Sequence, residues 1–448
     1  MNCRAVHDAR HRQCPEGRQQ PLNSEPGADK VRNSKLIDPP LKIAVRNDQC
    51  TDCGFCKYFT CSWGNECTGC GACVLACPNR ARELTAKTAA ARSVRVTIDG
   101  IERQVPAPAT VLKALEISGY RIARHHDAAN DVTAPCGTGA CGECSVLVDG
   151  ELKPSCVTPV GEGMQIITDP ERIRKLPPRR IVSVLTRSIH PSTAQYGIRE
   201  NSFFLHGCNL NCPACHNWDV TFSAVGQLST PEEILQPYLA HASKGHIDRI
   251  GISGGEATLN RRWLVEFIGK LARNVGPPTR IQLDTNASLL DPDYIETLLA
   301  AGVSDISPDI KALNIKTFQR VTGMTDRRRA ERYLQTSWQA VEYLATQCAG
   351  RVLLVVGVPY HPDLMEPEEL AAIGARLASF SPSLPVNLIE YQAAFRNRAL
   401  PLPTLEQSRQ ALRRLQTAGL ERVWCQSARE MPLPKDPEDL LVSESWDW

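Results

Sequence analysis

The order of apolar and polar positions divides the chain into two unlike halves. VRVTIDGIERQVPAPATVLKALEISG (94–119) alternates apolar and polar residues on both sides of Asp99-Gly100, then shifts to helical spacing. This predicts two strands joined by a tight turn, followed by a short helix. CSVLVDGELKPSC (144–156) repeats the device around Asp149-Gly150 and predicts a second hairpin. Past the charged, proline-rich RKLPPRR (174–180), which reads as a linker, apolar runs alternate with amphipathic segments. Six runs predict strands at 202–207, 249–254, 280–286, 305–310, 351–359 and 386–391, with helices between most of them, as at 263–273 and 292–301. A β/α alternation implies parallel strands with right-handed crossovers. Six units suit an α/β fold of the partial, TIM-like (β/α)6 kind, whose chemistry gathers at the C-terminal ends of the strands.

The predicted organisation is a polar tail without fixed structure (1–40), a cysteine-dense segment (41–90), a hairpin-built domain (91–172), a linker (173–183), the partial barrel (184–425) and a C-terminal tail (426–448). The 448 residues carry a formal charge of only +2, so no nucleic-acid footprint is expected. No apolar run is long enough to cross a bilayer, and the polar first thirty residues do not read as a secretory signal; the expected location is cytoplasmic.

The 19 cysteines change the picture most. Cysteines two or three residues apart bridge each other poorly but converge well on one metal centre. The first barrel strand runs into GCNLNCPACHN, with Cys208, Cys212 and Cys215 at C-x3-C-x2-C spacing. Three thiolates on one loop hold three irons of a [4Fe-4S] cluster and leave the fourth open to a small molecule. A zinc loop completed by His216 or His206 is the alternative. The second strand ends in ISGGEAT (252–258), where Glu256 is suited to a charged amino group. CGTGACGEC places Cys136, Cys141 and Cys144 at the plant-type [2Fe-2S] spacing, with Cys156 following a hairpin; His125 and His126 read as ordinary surface histidines, a first ligand in place of Cys136 being the alternative. CTGCGACVLACP (67–78) is the bacterial ferredoxin run, preceded by Cys50, Cys53, Cys56 and Cys61. Swapped ligation predicts one [4Fe-4S] set of Cys50, Cys53, Cys56 and Cys77 and another of Cys61, Cys67, Cys70 and Cys73. The gap between the runs is short, so one cluster in place of two stays open. Cys348 and Cys425 read as structural thiols, and Cys3 and Cys14 as free cysteines of the tail.

Over 184–425 the chain resembles the radical S-adenosylmethionine (SAM) superfamily, and within it the pyruvate formate-lyase activating enzyme-like branch. The resemblance rests on YGIRENSFFLHGCNLNCPACHNWD (196–219), ISGGEATLN (252–260), LDTNASLL (283–290) and SPDIKALN (307–314). It implies Cys208, Cys212 and Cys215 as catalytic cluster ligands and Ser253, Gly254, Gly255 and Glu256 as binding the SAM methionine group. It sets Asp284, Asn286, Asp309 and Lys311 around the SAM pocket, a strand-end ion pair being the other reading of the last two, and matches His216 and Asn217 to the residues after the third cysteine. Thr285-Asn286-Ala287 departs from the family's Thr-Asn-Gly. Residues 93–170 resemble the β-grasp-like [2Fe-2S] ferredoxin domains of complex I and hydrogenase subunits. The implied activity is reductive cleavage of SAM to a 5′-deoxyadenosyl radical, with electrons relayed from a ferredoxin, flavodoxin or reductase through the N-terminal clusters. The implied substrate is a glycyl radical enzyme, the alternatives being a small molecule or another protein side chain. A pure electron-transfer subunit is the competing class.

Overall fold

The computed structural model describes residues 41–61, 66–87, 92–125, 131–188, 200–242, 247–427 and 429. The expected tail 1–40, most of 426–448, Cys3, Cys14, His126 and the first four residues of the 196–219 stretch lie outside them. The cysteine-dense segment is closed by two antiparallel strands, β1 (Lys42–Arg46) and β2 (Arg82–Ala86). Between them lie a helical turn, Cys56–Thr60, and a short helix, Ala72–Ala76.

The hairpin-built domain forms as its alternation predicts. β3 (Arg92–Ile98) and β4 (Ile101–Ala107) pair across Asp99-Gly100, and the helix Val111–Ile117 starts at the Thr110 cap. Two short strands, β5 (Ile122–Ala123) and β6 (Val132–Thr133), precede the cysteine loop. β7 (Ser145–Val148), β8 (Glu151–Pro154) and β9 (Met164–Ile167) complete a five-stranded sheet in the order β4-β3-β9-β7-β8. Val94, Val96 and Ile98, two apart on β3, bury one sheet face with Leu115 and Ile166.

The second half is an open arc of parallel strands. β10 (Val182–Ser188) runs antiparallel to β11 (Glu200–Leu205); β12 (Arg249–Gly254), β13 (Arg280–Thr285), β14 (Asp305–Pro308) and β15 (Leu353–Leu354) follow in parallel. β16 (Val356–Tyr360), β17 (Val386–Glu390) and β18 (Val423–Gln426) form a second parallel sheet, joined to the first by an Asp309–Gly357 bridge. The predicted strand 351–359 is thus broken into two pieces. β10 was not foreseen, because its polar and apolar residues directly follow the charged stretch read as linker. Helices cover the outer face: Arg261–Val275, capped by Asn260, buries Trp263, Leu264, Phe267, Ile268 and Leu271, and Pro292–Ala301 runs from the Asp291 cap to Gly302. No described helix is long and apolar enough to cross a membrane.

Candidate functional site

Cys208, Cys212 and Cys215 lie on the loop leaving the C-terminal end of β11, and their thiols are electrostatic neighbours of one another. Burial raises all three above the ordinary thiol value, Cys215 to about 12. The Gly-Gly-Glu turn after β12 seats this loop. Gly255 N–H donates to Leu205 O (2.9 Å) and Glu256 N–H to Gly207 O (2.8 Å). A Cβ on Gly255 would stand 2.2 Å from Gly207 O, so glycine is what allows the approach. Asn217 Nδ2 bonds the Gly254 carbonyl (3.0 Å).

Glu256 is fully buried and held by the chain itself. Its Oε1 accepts from Thr258 N (2.9 Å), Thr258 Oγ1 (2.6 Å) and Thr285 Oγ1 (2.6 Å), and its Oε2 from Asn286 N (2.7 Å). Oε2 keeps room for one further donor. Asn286 Nδ2 reaches Asn209 Oδ1 (3.0 Å) and Cys208 Sγ (3.8 Å). Ala287 is fully buried at φ 56°, a left-handed conformation that an alanine adopts under strain.

Deeper on the strand ends, Lys311 Nζ pairs with Asp309 Oδ2 (3.0 Å), so the ion pair exists, and its charge also faces Cys212 and Tyr391. Asp284 accepts from Gln282 Nε2 (2.7 Å); burial, then the neighbouring Asp309, pushes its carboxyl up to about 6. The His216 ring packs edge-on against Tyr391 (5.7 Å), and burial pulls the imidazole down to about 4. His216 Nε2 and Tyr391 OH are buried without a hydrogen-bond partner among the described residues, two polar atoms beside the cysteine loop still open to a ligand. His206, the other zinc-ligand alternative, has both ring nitrogens engaged, by Ser183 Oγ (2.5 Å) and Ser223 O (3.1 Å).

The four cysteines of the hairpin-built domain are buried and in contact. Cys136 meets Cys141 and Cys156, and Cys156 also meets Cys144. Gly137, Gly139 and Gly142 all take positive φ in the loop between them, and Thr138 N–H points at Cys136 Sγ (3.5 Å). This donor set fits a [2Fe-2S] cluster, with Cys136 itself in the first place. The loop packs on the barrel: a Cβ on Gly207 would lie 3.0 Å from Cys136 Cβ and 3.3 Å from Cys141 Cβ, one residue before Cys208. Asn260 Nδ2 also bonds Cys141 O (3.1 Å).

In the cysteine-dense segment Cys53 has Cys50, Cys56 and Cys77 as charge neighbours, and Cys70 has Cys61 and Cys67, with Cys73 beside Cys70 and Cys61. Cys73 also has Cys56 as a charge neighbour, so the two groups adjoin. No three His, Cys, Asp or Glu among the described residues form a site for a single metal ion. All described cysteines are free thiols; Cys348 and Cys425 instead touch Glu296 (3.9 Å) and Glu390 (3.7 Å).

Sequence reasoning missed the residues that join the modules. Phe55 meets Trp218 (4.7 Å), which stacks on Phe395 (5.6 Å), with Cys53 and Cys215 packed on the same cluster. Arg396 donates to Val74 O (2.8 Å), Leu75 O (2.8 Å), Cys77 O (3.0 Å) and Asn211 Oδ1 (3.0 Å). Arg180, from the expected linker, donates to Ala257 O, Glu256 O and His206 O. None of these has a spacing signal.

Three family profiles match the chain: the radical SAM superfamily at 202–372, a 2Fe-2S iron-sulfur cluster binding domain at 91–171 and a 4Fe-4S binding domain at 65–83. The chain is 33% identical over 126 residues to an AdoMet-dependent heme synthase of Methanosarcina barkeri, covering 26% of this chain and 32% of that one. It is 34% identical over 124 residues to an NADH-quinone oxidoreductase component of Mycobacterium bovis, covering 27% and 13%. It is 33% identical over 122 residues to a protein of Methanocaldococcus jannaschii that bears the name of a glycyl-radical enzyme activating enzyme, covering 27% and 47%. The chain thus matches less than half the length of each of these relatives.

Proposed function

Because the chain carries a radical SAM domain with 4Fe-4S and 2Fe-2S binding domains ahead of it, we propose that it cleaves SAM reductively to a 5′-deoxyadenosyl radical, as an activase of a glycyl radical enzyme. Cys208, Cys212 and Cys215 hold the SAM-binding [4Fe-4S] cluster, which when bound supplies the cleaving electron. Ser253, Gly254, Gly255 and the free acceptor site of Glu256 receive the methionine group, and Asn286 fixes Asn209 beside Cys208. Asp284, Asp309 and Lys311 line the strand ends below, where their charge orients polar parts of SAM and substrate. Cys136, Cys141, Cys144 and Cys156 hold a [2Fe-2S] cluster, and the two sets of the N-terminal segment hold two further [4Fe-4S] clusters.

The observation that carries this reading is how closely the Cys136–Cys141 loop packs on the residue before Cys208: a Cβ on Gly207 would stand 3.0 Å from Cys136 Cβ and 3.3 Å from Cys141 Cβ. Clusters of these types reach about −400 mV or below, the range that reductive cleavage of SAM demands. With these groups bound, the N-terminal cysteine sets would supply carriers between a ferredoxin, flavodoxin or reductase and the Cys208 loop.

The activase assignment is tested with a glycine-loop peptide, SAM and reductant, read by EPR. A glycyl radical signal, absent when the glycine is alanine, supports it. Formation of 5′-deoxyadenosine with no radical on any such peptide moves the substrate to a small molecule or another side chain.

A further inference from the structure

Arg180 has a fully buried side chain. A guanidinium taken out of water calls for a negative partner, because an uncompensated buried charge costs far more than a hydrogen bond returns. Its contacts are three carbonyls: Ala257 O (2.7 Å), Glu256 O (2.7 Å) and His206 O (3.0 Å). These carbonyls satisfy its terminal nitrogens but carry no net charge, and Nε is buried without a hydrogen-bond partner among the described residues. The Glu256 carboxylate is an electrostatic neighbour, but it turns its oxygens to Thr258, Thr285 and Asn286 and makes no hydrogen bond to the guanidinium among the described residues. Arg180 is an electrostatic neighbour of Cys141 and Cys136, two of the four cysteines of the buried set, as well as of Glu256 and Tyr294.

The backbone on either side of Arg180 grips the same cysteine loop. Ile181 N–H donates to Ala140 O (3.0 Å), and Arg179 O stands 1.8 Å from where a Cβ on Gly142 would be. Residues 179–181 thus hold the loop from below while the Arg180 side chain crosses under Glu256 and His206, two residues before Cys208.

Resting on the reading that Cys136, Cys141, Cys144 and Cys156 hold a [2Fe-2S] cluster, we propose that Arg180 is the counter-charge of that cluster, a positioning residue that raises its reduction potential and keeps it against the Cys208 loop. Reduction by one electron from a low-potential donor adds one negative charge to the cluster. A fixed cation in a low-dielectric interior stabilises the reduced form more than the oxidised one.

The test is an anaerobic EPR redox titration of the reduced [2Fe-2S] signal in the full chain, for wild type, Arg180→Met and Arg180→Lys, with dithionite as reductant. Removing the charge in R180M is expected to lower the reduced-to-oxidised ratio at a fixed poise at least tenfold, which is 59 mV for a one-electron couple. R180K is expected to stay within about threefold of wild type, about half a decade on the same scale. An R180M cluster that titrates with wild type overturns the proposal and leaves the cluster reading standing. A wild type without any [2Fe-2S] signal overturns the cluster reading and the proposal with it. If R180M loses the signal, R180K decides: a retained signal near the wild-type potential supports the counter-charge. Loss of signal or a large shift in R180K as well makes Arg180 a packing element and overturns the proposal.

Discussion

Arg396 ties the cysteine-dense segment to the barrel, and Arg396→Ala should release it. Three of its bonds go to carbonyls of residues 74–77 and one to Asn211, on the loop between Cys208 and Cys212. A hydrogen bond from a charged donor contributes about 1.5–3 kcal/mol. The four do not add, because one fork makes them all, and burial beside Arg80 already pulls the guanidinium down to about 10. A net loss of about 3–4 kcal/mol is the consistent estimate. At about 1.4 kcal/mol per decade, local opening of the segment becomes roughly a few hundredfold more frequent. Native-state hydrogen exchange of the amides in helix Ala72–Ala76 and strand β2 reads this directly. Arg396→Lys keeps the charge but loses the planar fork, so its effect should fall between the two. Exchange in R396A within about threefold of wild type would refute the reasoning, since it would mean these four bonds hold nothing together.

Gly255→Ala forces a Cβ to within 2.2 Å of Gly207 O; it should cost about 1–3 kcal/mol and lower cluster occupancy at Cys208, checked by iron content. Ala287→Gly relieves a left-handed alanine, worth about 1 kcal/mol, against loss of a buried methyl worth about 0.8 kcal/mol. Its urea stability should therefore stay within about 1 kcal/mol of wild type, and a loss above about 2 kcal/mol would show that the strain is absent. Asp284 is raised from 3.8 to about 6 by burial, so the folded state binds its proton more tightly than the unfolded one. That contribution is present below pH 3.8 and lost as pH rises through about 6, amounting to about 3 kcal/mol. The stability advantage of Asp284→Asn should accordingly grow by about that much between pH 4 and pH 8, and a pH-independent difference would contradict it.

What was legible in the sequence was local. The Asp-Gly turns fixed two hairpins because only such residues suit the turn, and Asp99 and Asp149 do take positive φ. That Cys208, Cys212 and Cys215 lie together, and Cys136, Cys141 and Cys144 with Cys156, was legible because spacing on a short loop brings such thiols close. Glu256 was read as a ligand-facing carboxylate, while most of its acceptor sites turn out to hold Thr258, Thr285 and Asn286 in place. What stayed hidden depends on contacts distant in the chain. Arg180 meets Ala257, and Arg396 meets Cys77, 319 residues away. An arginine in a charged or loop segment carries no mark of its partner. The Phe55, Trp218 and Phe395 cluster is hidden for the same reason, since its rings come from three segments far apart in the chain.

The measurement closest to the central claim is 5′-deoxyadenosine formation by anaerobically reconstituted protein with SAM and dithionite, run beside Cys212→Ala. The account predicts the product from the wild type and its loss in C212A, with SAM perturbing the EPR signal of the wild-type cluster alone. Equal product from both proteins would contradict the role of Cys212, and a wild-type cluster whose signal SAM leaves unchanged and which forms no product would contradict the account and favour an electron-carrying role for the chain.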